Sequence, residues 1–158
     1  MTSAWMPIEK WDALVRGEDC PMCVELASGE QVNQFGYTIA QLEMSVLRLS
    51  VNQFSPGYCV LICKQHVPEP YHLSPADRNR FFEDMMRAAN ALEQVYHPAK
   101  MNFQILGNAL PHLHCHITPR YYGDPAPGMP LNLAEYERRR LTQEEYHRQV
   151  SAIRMALG

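Results

Sequence analysis

The chain has 158 residues, of which 46 % are hydrophobic and 20 % charged, enough for one domain with a sizeable core and too short for two ordinary ones. A formal net charge of -3 excludes a surface that holds a nucleic-acid backbone or an anionic membrane by charge alone, so any phosphate-bearing ligand has to be held locally. With 8 Gly and 12 Pro the composition also excludes low-complexity disorder along the whole length.

In chain order, the opening stretch "MTSAWMPIEKWDALVRGEDC" has neither a long apolar core nor a small-residue cleavage pattern. No later segment reaches the run needed to span a bilayer, so the expected location is the cytosol. A short N-terminal helical segment is expected over 1–19. "FGYTIAQL" (35–42) and "MSVLRLSV" (44–51) are rich in β-branched and aromatic residues and read as two strands joined by a tight turn at Glu43. "GYCVLICK" (57–64) reads as a third strand, in which Cys59 and Cys63 pack as small apolar groups rather than redox groups. In "HLSPADRNRFFEDMMRAANALEQVYH", Ser74 caps, Pro75 suits the first helical turn and Asp77 sits near its positive end. Phe81, Met85, Ala88, Leu92 and Val95 follow helical spacing, so this is the main amphipathic helix with its stripe in the core, ended by His97 and Pro98.

"KMNFQILG" (100–107) and "HLHCHIT" (112–118) give a fourth and a fifth strand, and "YYGDPAPGMPLN" (121–132) a Pro- and Gly-rich surface linker. The basic run "ERRR" (137–140) reads as solvated surface. A terminal helix follows, opened by a capping box of Thr142 and Glu145. Short hairpin connections favour antiparallel pairing, hence an α+β domain with helices packed on its sheet.

The chemistry concentrates in "PHLHCHITPR" (111–120). In a strand, alternate residues share a face, so His112, His114 and His116 line one side while Leu113, Cys115 and Ile117 take the core. One strand histidine is ordinary, but three at period two beside Pro119 and Arg120 are hard to assign to packing. Imidazole attacks phosphorus, donates a proton or binds a metal near neutral pH, and the pattern alone leaves a covalent mechanism and a metal site both open. Upstream, Cys20 and Cys23 have the spacing of half a zinc site, with His66 and one histidine of the trio as candidate partners. His66 by itself fits a surface loop equally well. A thioredoxin-like role needs a strand before the cysteine pair, and "WDALVRGED" is a poor one. The odd count of five cysteines fits reduced thiols or ligands better than a disulfide framework.

From Cys20 to about Leu131 the chain resembles the histidine triad (HIT) superfamily of nucleotide hydrolases and transferases, whose His-φ-His-φ-His-φ-φ signature "HLHCHITPR" matches with Thr118 in the last apolar place. "NQFSPGYCVLICKQHV" and "MNFQILGN" match two further family stretches in the right order. The resemblance implies a five-stranded antiparallel sheet with helices, arranged as a catalytic domain over 20–131 with a C-terminal helical extension over 132–158, and a homodimer. It implies His114 as the nucleophile toward the α-phosphorus of a nucleotide, forming a nucleotidyl-histidine, and His116 as a phosphate-oxygen partner. Asn52, Asn102, Asn108 and Arg120 become candidate substrate contacts, with Arg120 equally suited to a pair on the surface. Cys20, Cys23, His66 and His112 become the ligands of a closed structural zinc site. Two departures bear on substrate: Ala109 replaces a common Ser or Thr, and Ser50 stands where Asp or Asn commonly holds the ribose, with Asn52 as a substitute. The implied activity is hydrolysis or transfer at dinucleoside polyphosphates or adenylate conjugates. A binding or scaffold protein that lost turnover is the alternative, and a histidine-rich metal carrier is the weakest reading. No nucleic-acid or membrane partner is expected.

Overall fold

The computed structural model describes residues 5–158; residues 1–4 of the expected N-terminal segment lie outside them. Strands β1 (Gly36–Gln41) and β2 (Ser45–Ser50) form the first hairpin. Its turn falls at Glu43, closed by Leu42 N–H donating to Ser45 O at 2.8 Å. A long-range contact fixes that turn: the buried Asp84 carboxylate accepts from Met44 N–H and from Ser45 Oγ, each at 2.7 Å.

β2 continues onto β3 (Cys59–Cys63), β3 onto β5 (His114–Arg120) and β5 onto β4 (Lys100–Gln104), all antiparallel, in the order β1-β2-β3-β5-β4. The histidine-bearing strand therefore sits inside the sheet, hydrogen-bonded on both sides. Between β3 and β4 runs α3 (Pro75–Tyr96). Ser74 Oγ accepts from Asp77 N–H at 3.1 Å to start the helix, and His97, left-handed at φ 49°, ends it just before Pro98. α4 (Gln143–Leu157) opens on the expected box, with Thr142 N–H donating to Glu145 Oε2 and Glu145 N–H to Thr142 Oγ1.

One sheet face carries Leu47, Leu49, Leu61, Cys59, Cys115 and Ile117, each fully buried, against Phe81, Met85, Ala88 and Leu92 of α3 and Tyr146, Val150 and Ile153 of α4. Burying each large aliphatic chain stabilises the fold by about 1.5–3 kcal/mol. Cys59 and Cys63 are indeed core residues, and burial pushes the Cys63 thiol up to about 11.

Two differences from the sequence reading bear on the site. The expected N-terminal segment holds α1 (Ile8–Val15), and a second helix that the sequence reading did not give follows it, α2 (Pro21–Ser28). Cys20 is the N-cap of α2, Pro21 occupies its first turn, and Gly29 at φ 65° ends it, the Pro-in, Gly-out signature of a short helix. Second, the strand expected from 112 begins at His114. Gly107 is left-handed at φ 77° and Pro111 has no N–H to give a ladder, so His112 lies in a bend, its N–H donating to Leu110 O at 2.8 Å.

Candidate active site and metal cluster

Opposite the core, the sheet presents Arg48, Val60 and His116 side by side on three neighbouring strands, with Ile62 beside His114. His114 is 7 % exposed. Its Nδ1–H donates to the carbonyl of His112 at 2.6 Å, which leaves the Nε2 lone pair unprotonated. Burial lowers its pKa, against a smaller upward pull from that hydrogen bond, so the ring is neutral at physiological pH. His116 stands next to it, ring centroids 5.0 Å apart. Burial, with a contribution from neighbouring His114, pushes His116 down to about 4.

Tyr58 sets the tautomer of His116. Its hydroxyl lies 2.6 Å from Nδ1 and its ring stacks on the imidazole. Burial raises the tyrosine pKa and keeps the phenol protonated; when that hydroxyl donates to Nδ1, the proton of the neutral His116 ring sits on Nε2. Tyr58 is held in turn by the buried Gln53, whose Nε2–H donates to Tyr58 O at 2.9 Å and whose Oε1 accepts from Gly57 N–H. Only glycine fits at 57: φ is +86° and an added Cβ would lie 2.7 Å from the Tyr96 ring. Tyr58 escaped the sequence reading, although it shares the alternation of Val60 and Ile62.

His112 leaves this group and joins Cys20, Cys23 and His66, whose ligand atoms all lie within 4.8 Å of one another. His66 Nδ1 is 3.3 Å from Cys23 Sγ, His112 Nδ1 is 3.4 Å from Cys20 Sγ, and the two Nδ1 atoms are 3.2 Å apart. Bond lengths of about 2.0–2.3 Å to a tetrahedral zinc put ligand atoms roughly 3.3–3.8 Å from one another, close to these spacings. The far nitrogens support it: His112 Nε2–H donates to Cys63 O at 2.8 Å and His66 Nε2–H to Val15 O at 3.1 Å. Both rings thus aim Nδ1 lone pairs at one point between the two sulfurs, the orientation a cation there would need.

The remaining candidates are dispersed. Arg120, 5 % exposed, faces Asp124, to which its Nη2–H donates at 2.7 Å, while its Nη1–H donates to Asn102 Oδ1 at 2.7 Å. Asp124, also bonded by the Tyr136 hydroxyl and Ala126 N–H, is held well below the usual carboxylate range, chiefly by Arg120. Asn52 Oδ1 accepts from Arg139 N–H at 3.1 Å, tying down the basic run 137–140. Asn108 and Ala109 are exposed. Ser50, by contrast, lines the cavity of about 250 Å³ that ends on His116, together with Phe35, Val60, Ile62 and Leu110.

The residues 33–123 match the HIT domain family model, more than half of the 158 residues. The chain belongs to the HIT domain family. It is 25 % identical over 87 residues to the asymmetrical bis(5'-nucleosyl)-tetraphosphatase of Schizosaccharomyces pombe, a match over 52 % of this chain, which spans about half (48 %) of that relative's length. Among solved structures, a histidine triad protein of Marinobacter aquaeolei VT8 superposes with a TM-score of 0.72 at 21 % identity, covering 87 % of this chain and 96 % of that one. One from Bradyrhizobium japonicum gives 0.71 at 23 %, over 78 % and 91 %. A zinc-bound histidine triad family protein of Mycobacterium smegmatis gives 0.64 at 22 %, over 88 % and 93 %. These likenesses establish the HIT fold for this chain.

Proposed function

We propose that the protein hydrolyses or transfers nucleotidyl groups by attack of His114 on the α-phosphorus of a dinucleoside polyphosphate or an adenylate conjugate. The observation that carries this is the orientation of His114: Nδ1–H is committed to the His112 carbonyl, so the neutral ring offers Nε2 as a nucleophile. As the P–Nε2 bond forms, the bond from phosphorus to the leaving oxygen breaks. Water or another acceptor then attacks the nucleotidyl-histidine, and the P–N bond breaks to restore His114. The Nε2–H of His116, oriented by Tyr58, donates to a phosphate oxygen and stabilises charge as it builds. The activity named for the yeast relative supports the substrate class. Asn102, Asn108, Asn52 and Arg120 act here at the margins, Arg120 by orienting Asn102.

Cys20, Cys23, His66 and His112 hold a zinc ion in this reading. Four protein donors leave no open position, so the metal supplies structure, joining α2 to the segment that leads into β5. The five free cysteines support a reducing compartment, the cytosol; no helix among the described residues is long and apolar enough to cross a membrane. The outer position of β4, with Phe103 exposed, supports assembly as a homodimer.

The deciding experiment mixes the protein with diadenosine tetraphosphate labelled at the α-phosphate, quenches, and maps the label. Label on His114, and loss of turnover in a folded His114→Ala variant, are expected. Undiminished turnover in that variant defeats the mechanism. Absence of both label and product, with a tight nucleotide complex, selects the binding-protein reading that Ala109 favours.

A further inference from the structure

The cavity beside His116 has an unusual far end. Arg48 and Glu25 line it with Pro21, Met22 and Phe35, and the two charged side chains are only 6 % and 11 % exposed. Buried charges in an otherwise apolar cavity demand partners. Arg48 has them: Nη1 reaches Thr38 Oγ1 and Glu30 O, Nη2 reaches Asn33 Oδ1 and Gly36 O, and Nε lies 2.9 Å from Glu25 Oε1. Its Nη1 and Nη2 donors are spent on the protein and its Nε faces Glu25 rather than the cavity, so it does not serve a ligand.

Glu25 differs. Its Oε1 meets Arg48 as a charge, yet the Nε–H is not aligned for a hydrogen bond, and Oε1 is buried without a hydrogen-bond partner. Among the described residues no hydrogen bond reaches Oε2 either. Arg48 thus fixes the carboxylate in place and neutralises its charge through the enclosed Oε1, while Oε2 is left as the acceptor for a ligand in the cavity that Glu25 lines.

The sheet register places this end at a nucleoside's distance from the reacting phosphorus. Arg48, Val60 and His116 are directly paired across β2, β3 and β5. Two strand spacings separate the first from the last, about 10 Å. The cavity that runs from His116 to Glu25 is lined along the way by Ser50, Val60 and Phe35, so a ligand with its α-phosphate at His114 and His116 would turn its base toward Glu25.

Resting on the proposed nucleotidyl chemistry, we infer that Glu25 is a specificity-determining residue that accepts a hydrogen bond from the exocyclic amino group of a 6-aminopurine and rejects the 6-oxopurine. An amino group supplies the N–H this carboxylate lacks, whereas a carbonyl at the same position sets oxygen against oxygen with no proton between. A site built to pair with a substrate N–H discriminates more sharply than an apolar pocket does.

The test is calorimetric binding of AMP, IMP and purine riboside 5'-monophosphate to the full chain. The wild type is expected to bind AMP at least about tenfold more tightly than IMP, with the unsubstituted purine nucleotide between them. Glu25→Gln, whose amide both donates and accepts, brings AMP and IMP within about threefold of each other. A purely structural Glu25 would weaken all three ligands alike, leave the ratios in place and overturn the inference. So would equal or tighter binding of IMP by the wild type, which decides the matter even if the variant fails to fold. If AMP and IMP bind alike while His114 still takes up label, the base assignment alone falls. If no nucleotide binds and His114 stays unlabelled, the nucleotidyl reading falls with it.

Discussion

Arg120→Met tests the reassignment of an arginine that the sequence offers as a phosphate contact. The guanidinium and its partner Asp124 are 6 % and 4 % exposed. The substitution strips Asp124 of a bidentate pair but leaves its carboxylate inside, bonded only by Tyr136 and Ala126. Breaking a buried pair from one side costs about 3–5 kcal/mol, mostly as the penalty of the charge left behind. For a domain of this size that corresponds to a fall in Tm of roughly 6–20 °C. The sign of a second substitution separates this account from simple loss of packing. Asp124→Asn keeps an acceptor for Ala126 and Tyr136 while removing the charge. It destabilises the wild type, yet in the Arg120→Met background it restores about 1–3 kcal/mol. Urea unfolding of the four proteins reads the cycle directly. A cost below about 1 kcal/mol for Arg120→Met, or destabilisation by Asp124→Asn in both backgrounds, refutes the buried-pair reasoning.

Three other expectations follow from separate features. Tyr58→Phe removes the donor that fixes the His116 tautomer; kcat falls roughly tenfold with KM little changed, and steady-state kinetics with diadenosine tetraphosphate measure the split. Thr118 is 1 % exposed and its hydroxyl is buried without a partner, so Thr118→Val raises stability by about 1 kcal/mol in urea unfolding. Metal analysis of freshly purified protein finds one zinc per chain. Its removal by a chelator releases His66 from the end of α1 and changes the emission of Trp11, whereas freely titratable thiols in metal-free protein with an unchanged Tm remove the metal from the account.

Much of the sheet was readable in the sequence because its signals are local. The cap at Ser74, the stop at His97 and the box at Thr142 each depend on a few adjacent side chains. α2 is bracketed by Pro21 and Gly29, but its eight residues include no buried residue and so carry no apolar stripe at helical spacing. The alternation of the histidines was read correctly for His114 and His116, but Pro111 turns His112 out of the strand and toward the cysteines. What stayed hidden is pairing at a distance. "VLRLS" puts a charge in an apolar strand, a sign that Arg48 needs a partner, but nothing local names Glu25, 23 positions away. Asp84 under the first hairpin and Asp124 against Arg120 were hidden for the same reason.

The shortness of α2 has a consequence of its own. Eight residues are too few to hold a helical shape in water unaided. Glu25 fastens it against the sheet through Arg48, and half a turn earlier Cys20 and Cys23 would fasten it a second time through the proposed zinc. With the metal and the base held as proposed, loosening either fastener would slacken the other, so thiol chemistry at the cysteines and choosiness toward the base would rise and fall together.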